Sequence, residues 1–476
     1  MSNKTKNQQL NTRFNWVKIS KKIVLCLAIV ISIVSLTDRK KIFLSDQSNN
    51  HIIKKWSSFY DYTLDNDVDI LLIGNSHITT GVDPYVLSNA TNTTSYILAN
   101  SGVNIVDAWF HLNEALKIKK PNLVVLETYC INNSEKPIGN AVIPYFQSFD
   151  AHKNTLLKIQ NMPLIFKSDY WLSAWSSTIR NHSFIFNQFE TIKHNIATDI
   201  SSSEEPTSLN LGRFARFDTG LDSNTLKKYE TNGAPVNFEN SMLSEYSTQY
   251  LHKIIKTCND NNIQFMLLTI PMYHKHIKNY TIWKKKLKAE LNQYSTLKWL
   301  DLQENYDTLV YTPEMFENTY AENQHLSNLG MSVSAYKLAD FVISNFSNHL
   351  PNRSTDENWI ANFNQTPHFI YNQKYNKNMS NCSLICQNEL INQYKIEELL
   401  VEKSEQSNLL ILKIKKEKNI NLPKKLEIKL AIISGNEKYE VVVPMKSDVN
   451  IFPNKNAVYF CNINNKITVN KLLNIE

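Results

Sequence analysis

Ser76 and His325 are the residues whose chemistry and setting mark them out. Ser76 stands in LLIGNSHITTGVDP, Leu71 to Pro84, directly behind an apolar run from Val68 to Ile73. His325 stands in YAENQHLSNLG, with Glu322 three residues before it. A serine hydroxyl is a weak nucleophile and needs a base within hydrogen-bond reach. An imidazole can be that base, and a carboxylate can orient the imidazole. Ser76, His325 and Glu322 are thus candidates for the nucleophile, base and acid of an acyl transfer. The oxyanion formed in such a reaction needs aimed N–H donors. The backbone N–H groups of Ser76 and Gly102 are candidates. His77 adjoins the serine and is a candidate for touching substrate. Thr128 is a further candidate for touching substrate, and Arg180, Arg213 and Arg216 could clamp an anionic sugar or phosphate, or serve in surface salt bridges.

For these residues to meet, the chain must bring them to one edge of a sheet. Val68–Ile73, Ser95–Leu98, Leu123–Leu126, Ile263–Ile270 and Leu297–Leu302 are strand-like apolar runs. Helical segments separate them. Asp83-Pro84 is a helix start, a capping carboxylate followed by proline at the first turn. Asn104 to Lys120 carries Val106, Trp109, Phe110, Leu112 and Leu116 at helical spacing. A helix over 241–261 and a Lys-rich one over 280–294 follow, the lysines Lys284, Lys285, Lys286 and Lys288 reading as a solvated face. Ser327 caps a last helix whose inward face is Met331, Ala335, Leu338, Phe341 and Val342. Alternating strands and helices predict a parallel sheet with crossover helices. In such sheets ligands collect at the carboxyl ends of the strands. Ser76 follows the first strand, Gly102 the second, Glu127 and Thr128 the third, and His325 the fifth. A Gly-Asn-Ser turn alone is an ordinary join of strand to helix; the order of all these residues carries the catalytic reading.

The ends of the chain differ from this middle. Lys4, Lys6, Arg13, Lys18, Lys21 and Lys22 precede the uncharged run IVLCLAIVISIVSL, Ile23 to Leu36. Residues 1–41 read as a basic cytoplasmic tail and an uncleaved signal anchor spanning 16–37, with the remaining chain extracytoplasmic. Residues 42–66 read as a stalk, 67–350 as the α/β domain with an insertion at 130–240, and 351–476 as a β-rich domain of sandwich type. The 476 residues carry a net charge of +7. Much of that excess is local to the anchor, and no basic stripe with interleaved aromatics recurs, so nucleic acid is not an expected partner. The six cysteines form no C-x-x-C pair and no metal-like spacing with histidine, so neither metal nor cofactor is expected. Cys382, Cys386 and Cys461 are near enough in sequence to pair in an oxidising compartment.

Gly74-Asn75-Ser76 after a first strand, a lone Gly102 after the second and Glu322-x-x-His325-Leu-Ser late in the domain resemble the SGNH/GDSL hydrolase superfamily. The resemblance covers about residues 67–346 of the chain. It implies a flavodoxin-like three-layer fold, Ser76 as nucleophile, His325 as base, Glu322 as acid and Gly102 as an oxyanion donor. The sequence departs from the family at Asn75 and Glu322, where Asp is usual, and after strand three, where LETYCINN replaces a G-x-N-D block; the third oxyanion donor that the resemblance implies then falls to Asn104 or Thr128. The pattern is closer to the membrane-anchored branch, resembling proteins of teichoic-acid D-alanylation and polysaccharide O-acetylation. That branch implies a serine esterase or O-acyltransferase acting on acylated cell-surface glycans, with a membrane-bound acyl-transfer partner. The departures leave an alternative, a catalytically degenerate scaffold that binds glycans or partners in an envelope assembly.

Overall fold

A computed structural model describes residues 2–40, 42–44, 51–132, 135–183, 186, 188–197, 211–212, 221–240, 243–304, 306, 311, 313–317 and 325–359, and six strands between 382 and 464. The strands β1 (Ile70–Gly74), β2 (Ser95–Ala99) and β3 (Leu123–Glu127) are buried at every residue. Such unbroken apolar runs belong to sheets covered on both faces. With β4 (Gln264–Thr269) and β5 (Lys298–Asp301) they form one parallel sheet in the order β2-β1-β3-β4-β5. From β1 the chain moves first to one side and then to the other, so the strand order reverses between β1 and β3. That reversal opens a crevice at the carboxyl ends of these two strands.

Side chains alternate between the two faces. Ile70, Leu72, Val125 and Met266 share a core with Val86 and Leu87 of α4 (Pro84–Thr91) and Met331, Ala335 and Leu338 of α8 (Asn328–Phe346). The intervening Leu71, Ile73, Val124 and Leu126 are equally buried and turn to the opposite face. There α5 (Ile105–Leu116) packs on β1 and β2, and α6 (Glu245–Asp260) packs on α5. On the helix over Tyr280–Glu290, α7, Lys285, Lys286 and Lys288 are exposed as the solvated face expects, and Lys284 departs from it: it is buried and pairs with Asp301 at 2.5 Å.

Two expected boundaries shift. The stretch read as a stalk contains α2 (His51–Asp65), whose Phe59 ring lies 5.0 Å from Tyr96 of β2 and whose Trp56 ring lies 5.4 Å from His111 of α5. Apolar residues at helical spacing, Trp56, Phe59 and Tyr62, gave this segment a face to bury, which a stalk lacks. At the other end the domain continues past residue 350. Arg353 holds Asp69 with two hydrogen bonds, 2.6 and 2.7 Å, and the Trp359 indole donates to the Thr93 carbonyl at 2.8 Å.

Residues 136–205 and the N-terminal 53 form a separate unit. Its helices cover Ile143–Ala151, Thr155–Ile165, Trp171–Trp175, Ser177–Arg180 and Phe189–Ala197. Phe146, Phe149 and Phe166 make its core, and Arg180, paired with Asp150 at 2.5 Å, lies over the Phe146 ring. The long first helix, α1 (Ser2–Arg39), belongs to this unit, and its Lys18–Arg39 portion is long and apolar enough to cross a membrane.

In the C-terminal segment the strands β6 (Cys382–Gln387), β7 (Lys395–Lys403), β8 (Ser407–Lys415), β9 (Lys425–Ser434), β10 (Glu437–Ser447) and β11 (Asn456–Asn464) form one antiparallel sheet, ordered β6-β9-β10-β11-β8-β7. The second sheet of the expected sandwich is not among the described residues, and the side chains of Cys382, Cys386 and Cys461 lie outside the description.

Candidate active site

The turn after β1 is built for close packing. Gly74 has φ +152°, and a Cβ there would lie 2.8 Å from the Glu127 Cβ on β3. A side chain at this position would collide with the neighbouring strand, which is why a glycine ends β1. Asn75 follows as the cap of the four-residue helix α3 (Ser76–Thr79), its Oδ1 accepting from the His77 N–H at 2.9 Å. Asn and Asp cap about equally well, so Asn75 meets the local need that an Asp would meet. Thr80 closes the turn, its N–H and hydroxyl both donating to the Ser76 carbonyl at 2.9 Å. Ser76 therefore sits on a fixed turn at the carboxyl end of β1, and it is 6% exposed.

His325 is placed by a short antiparallel bridge. Phe316 pairs with Leu326, the Ser327 N–H donates to the Met315 carbonyl, and the Glu317 N–H donates to the His325 carbonyl, the last two at 2.9 Å. This pairing sets Glu317 opposite His325. The Glu317 Oε1 lies 3.4 Å from the His325 Nδ1, with both side chains buried. Ser327 then caps α8, as expected from the sequence. Glu322 falls outside the described residues, as do Arg213 and Arg216.

His77 links the two halves of the site. Its ring lies 5.1 Å from that of His325 and 4.7 Å from that of Tyr129. Burial, reinforced by the His325 and His276 imidazoles, holds its pKa well below the usual histidine range. It is neutral at pH 7, and its Nδ1 is buried without a hydrogen-bond partner among the described residues. Ser76 precedes His77, so serine and both imidazoles gather at one sheet edge. No hydrogen bond joins Ser76 to His325, whose Nε2 is buried with no hydrogen-bond partner among the described residues. Catalytic hydrogen bonds are often unmade before substrate arrives.

The other candidates divide. Gly102 lies in an exposed turn beyond β2 with φ +71°, a conformation that suits glycine and leaves its backbone accessible. Asn104 instead caps α5, its Oδ1 accepting from Val106 and its amide nitrogen donating to the Glu135 carbonyl, each at 3.2 Å. Thr128 is fully buried, and its hydroxyl pairs with that of Thr269 at 2.7 Å. Both side chains are committed to holding the scaffold.

Three residues carry more than the sequence disclosed. Glu317 is the described carboxylate beside His325. Glu127 ends β3 against Gly74; its Oε1 accepts from the Tyr129 N–H at 2.9 Å, while its Oε2 is buried with no hydrogen-bond partner among the described residues. Burial pushes its pKa up to about 8, so the carboxyl is largely protonated at neutral pH. Lys55 of α2 is buried with no acidic partner among the described residues, donating to the Ala99 carbonyl at 2.7 Å and the Thr79 hydroxyl at 3.4 Å. Burial lowers its pKa to about 7. It ties the end of β2 to the end of α3. Only its place on an amphipathic helix could have signalled it. Among the described residues, no three His, Cys, Asp or Glu side chains converge as metal ligands would.

Comparison with protein-family models and with curated proteins finds no match to this chain.

Proposed function

We propose that this protein is an SGNH-type serine esterase or O-acyltransferase, anchored by α1 and acting outside the cytoplasm on acylated cell-surface glycans. The observation that carries the reading is the gathering of Ser76, His325 and Glu317 at the β1/β3 crevice. In this reading the Ser76 Oγ attacks the ester carbonyl while His325 accepts its proton. Glu317 takes the acid's part, stabilising the imidazolium through Nδ1. The N–H groups of Ser76 and Gly102 receive the oxyanion. His325 then protonates the departing alcohol, leaving an acyl group on Ser76. Water completes a hydrolysis; a sugar hydroxyl completes a transfer. No metal or cofactor takes part. The substrate class rests on the family resemblance, and a membrane-bound acyl donor is the partner such a transferase would need.

The test is turnover of p-nitrophenyl acetate by the full chain in detergent, with and without an oligosaccharide acceptor. The reading expects nitrophenol release that Ser76→Ala abolishes, and acetylated oligosaccharide if transfer is the reaction. A folded wild-type protein with no release above the Ser76→Ala background would refute it.

A second reading, a binding scaffold without catalysis, is favoured by the burial of Ser76 and by the hydrogen bond it does not make to His325. That reading expects glycan binding without acylation of Ser76.

A further inference from the structure

We propose that the helical unit at 136–197 lies on the membrane surface, with the face carrying Leu172, Trp175 and Ile179 set into the lipid interface beside α1. The proposal rests on the reading of α1 as a membrane anchor. The apolar stretch of α1 is solvent-exposed along its length in the isolated chain, through Ile33 and Leu36. At its end, Thr37 and Asp38 fasten the short helix Ser177–Arg180. The Asp38 Oδ1 accepts from the Ser177 hydroxyl at 2.9 Å, the Thr178 N–H at 2.8 Å and the Thr178 hydroxyl at 2.7 Å. The Thr37 and Thr178 hydroxyls pair at 2.7 Å. A membrane that holds α1 up to Leu36 therefore ends where this helix begins.

The same helix and its predecessor expose apolar residues. Leu172 and Trp175 on the helix Trp171–Trp175 and Ile179 on the next are all exposed, Leu172 to 69%. Trp171 is exposed beside them. The neighbouring helix over Thr155–Ile165 adds Leu156 and Ile159. A water-soluble surface rarely leaves so many large apolar side chains together, and Ile179 adjoins Thr178, the residue bound to α1. Tryptophan favours the membrane–water interface because its ring is apolar and its N–H is polar. Residues 136–197 hold six Lys or Arg against three Asp or Glu, and exposed Lys153 and Lys167 suit anionic headgroups. The occupant is thus the bilayer that already holds α1.

The experiment is fluorescence of the full chain in phosphatidylglycerol–phosphatidylcholine vesicles, made with and without brominated acyl chains. Trp16, near the start of the span, reports insertion of the anchor. The proposal expects brominated lipid to quench the wild type more than the Trp171→Phe/Trp175→Phe variant, which should keep only the Trp16 component. Equal quenching of the two, with Trp16 still quenched, would overturn the proposal while leaving the anchor intact. Equal quenching together with cross-linking through Leu172→Cys would assign the face to a protein partner and equally overturn it. Loss of all quenching, Trp16 included, would refute the anchor and the proposal with it.

Discussion

Glu317 and His325 face each other beside the antiparallel bridge of Phe316 and Leu326, with the carboxylate Oε1 3.4 Å from the imidazole Nδ1. Seven residues of chain separate them, yet the backbone bond from Glu317 to the His325 carbonyl fixes their pairing. If this carboxylate orients the base, Glu317→Gln should lower kcat on an ester by roughly 10⁴-fold, the scale found when a triad acid loses its charge. Glu322→Gln should leave turnover within a few-fold of wild type. The reverse ranking, measured with p-nitrophenyl acetate, would return the acid's role to Glu322.

The cap of α3 gives a second test. Asn75→Asp should retain both stability and turnover, because aspartate also accepts from the His77 N–H. Asn75→Ala should cost about 1 kcal/mol of stability, the usual loss for a removed cap, and should reduce turnover by loosening Ser76. Urea unfolding and ester turnover, measured side by side, check both. An Asn75→Ala protein as stable and as active as wild type would remove the cap from the account.

Glu127 sets a pH dependence of known sign. Its carboxyl titrates near 8 in the fold but near its ordinary value of 4.5 in the unfolded chain. Between these values the folded protein binds more protons than the unfolded one, so this group's contribution to stability falls as pH rises from about 4.5 to about 8. Glu127→Gln keeps the oxygen that accepts from Tyr129 and removes the titration. The variant should match wild type near pH 4.5 and exceed it by pH 8, by an amount on the order of a few kcal/mol. Thermal melts across that range measure the difference; parallel curves would show that Glu127 does not titrate as described.

Strand positions and the order of Ser76, Gly102 and His325 were legible because buried parallel strands write themselves as unbroken apolar runs. Asp83-Pro84 and Ser327 announced their helices by capping chemistry, and both caps stand as read. Glu317 was hidden because its partner is chosen by a bridge between residues ten apart in numbering, Phe316 and Leu326, the neighbours of Glu317 and His325, and no periodicity records such a pairing. Glu322 stood at the more familiar spacing. Lys55 was hidden for a different reason: a lysine on an amphipathic helix is ordinarily solvated, and only the packing of α2 onto β2 and α3 buries it. Asn104 and Thr128 carried suitable groups, but those groups are used up by α5 and by Thr269, a fact of tertiary contact alone.

The central claim is that Ser76 is an activated nucleophile. The most direct measurement is intact-mass analysis of the full chain in detergent after reaction with a fluorophosphonate, beside Ser76→Ala and His325→Ala. An activated Ser76 would give one stoichiometric adduct on wild type, mapped to the peptide containing Ser76, and none on either variant. A folded wild-type protein without an adduct, or an adduct that persists in Ser76→Ala, would contradict it.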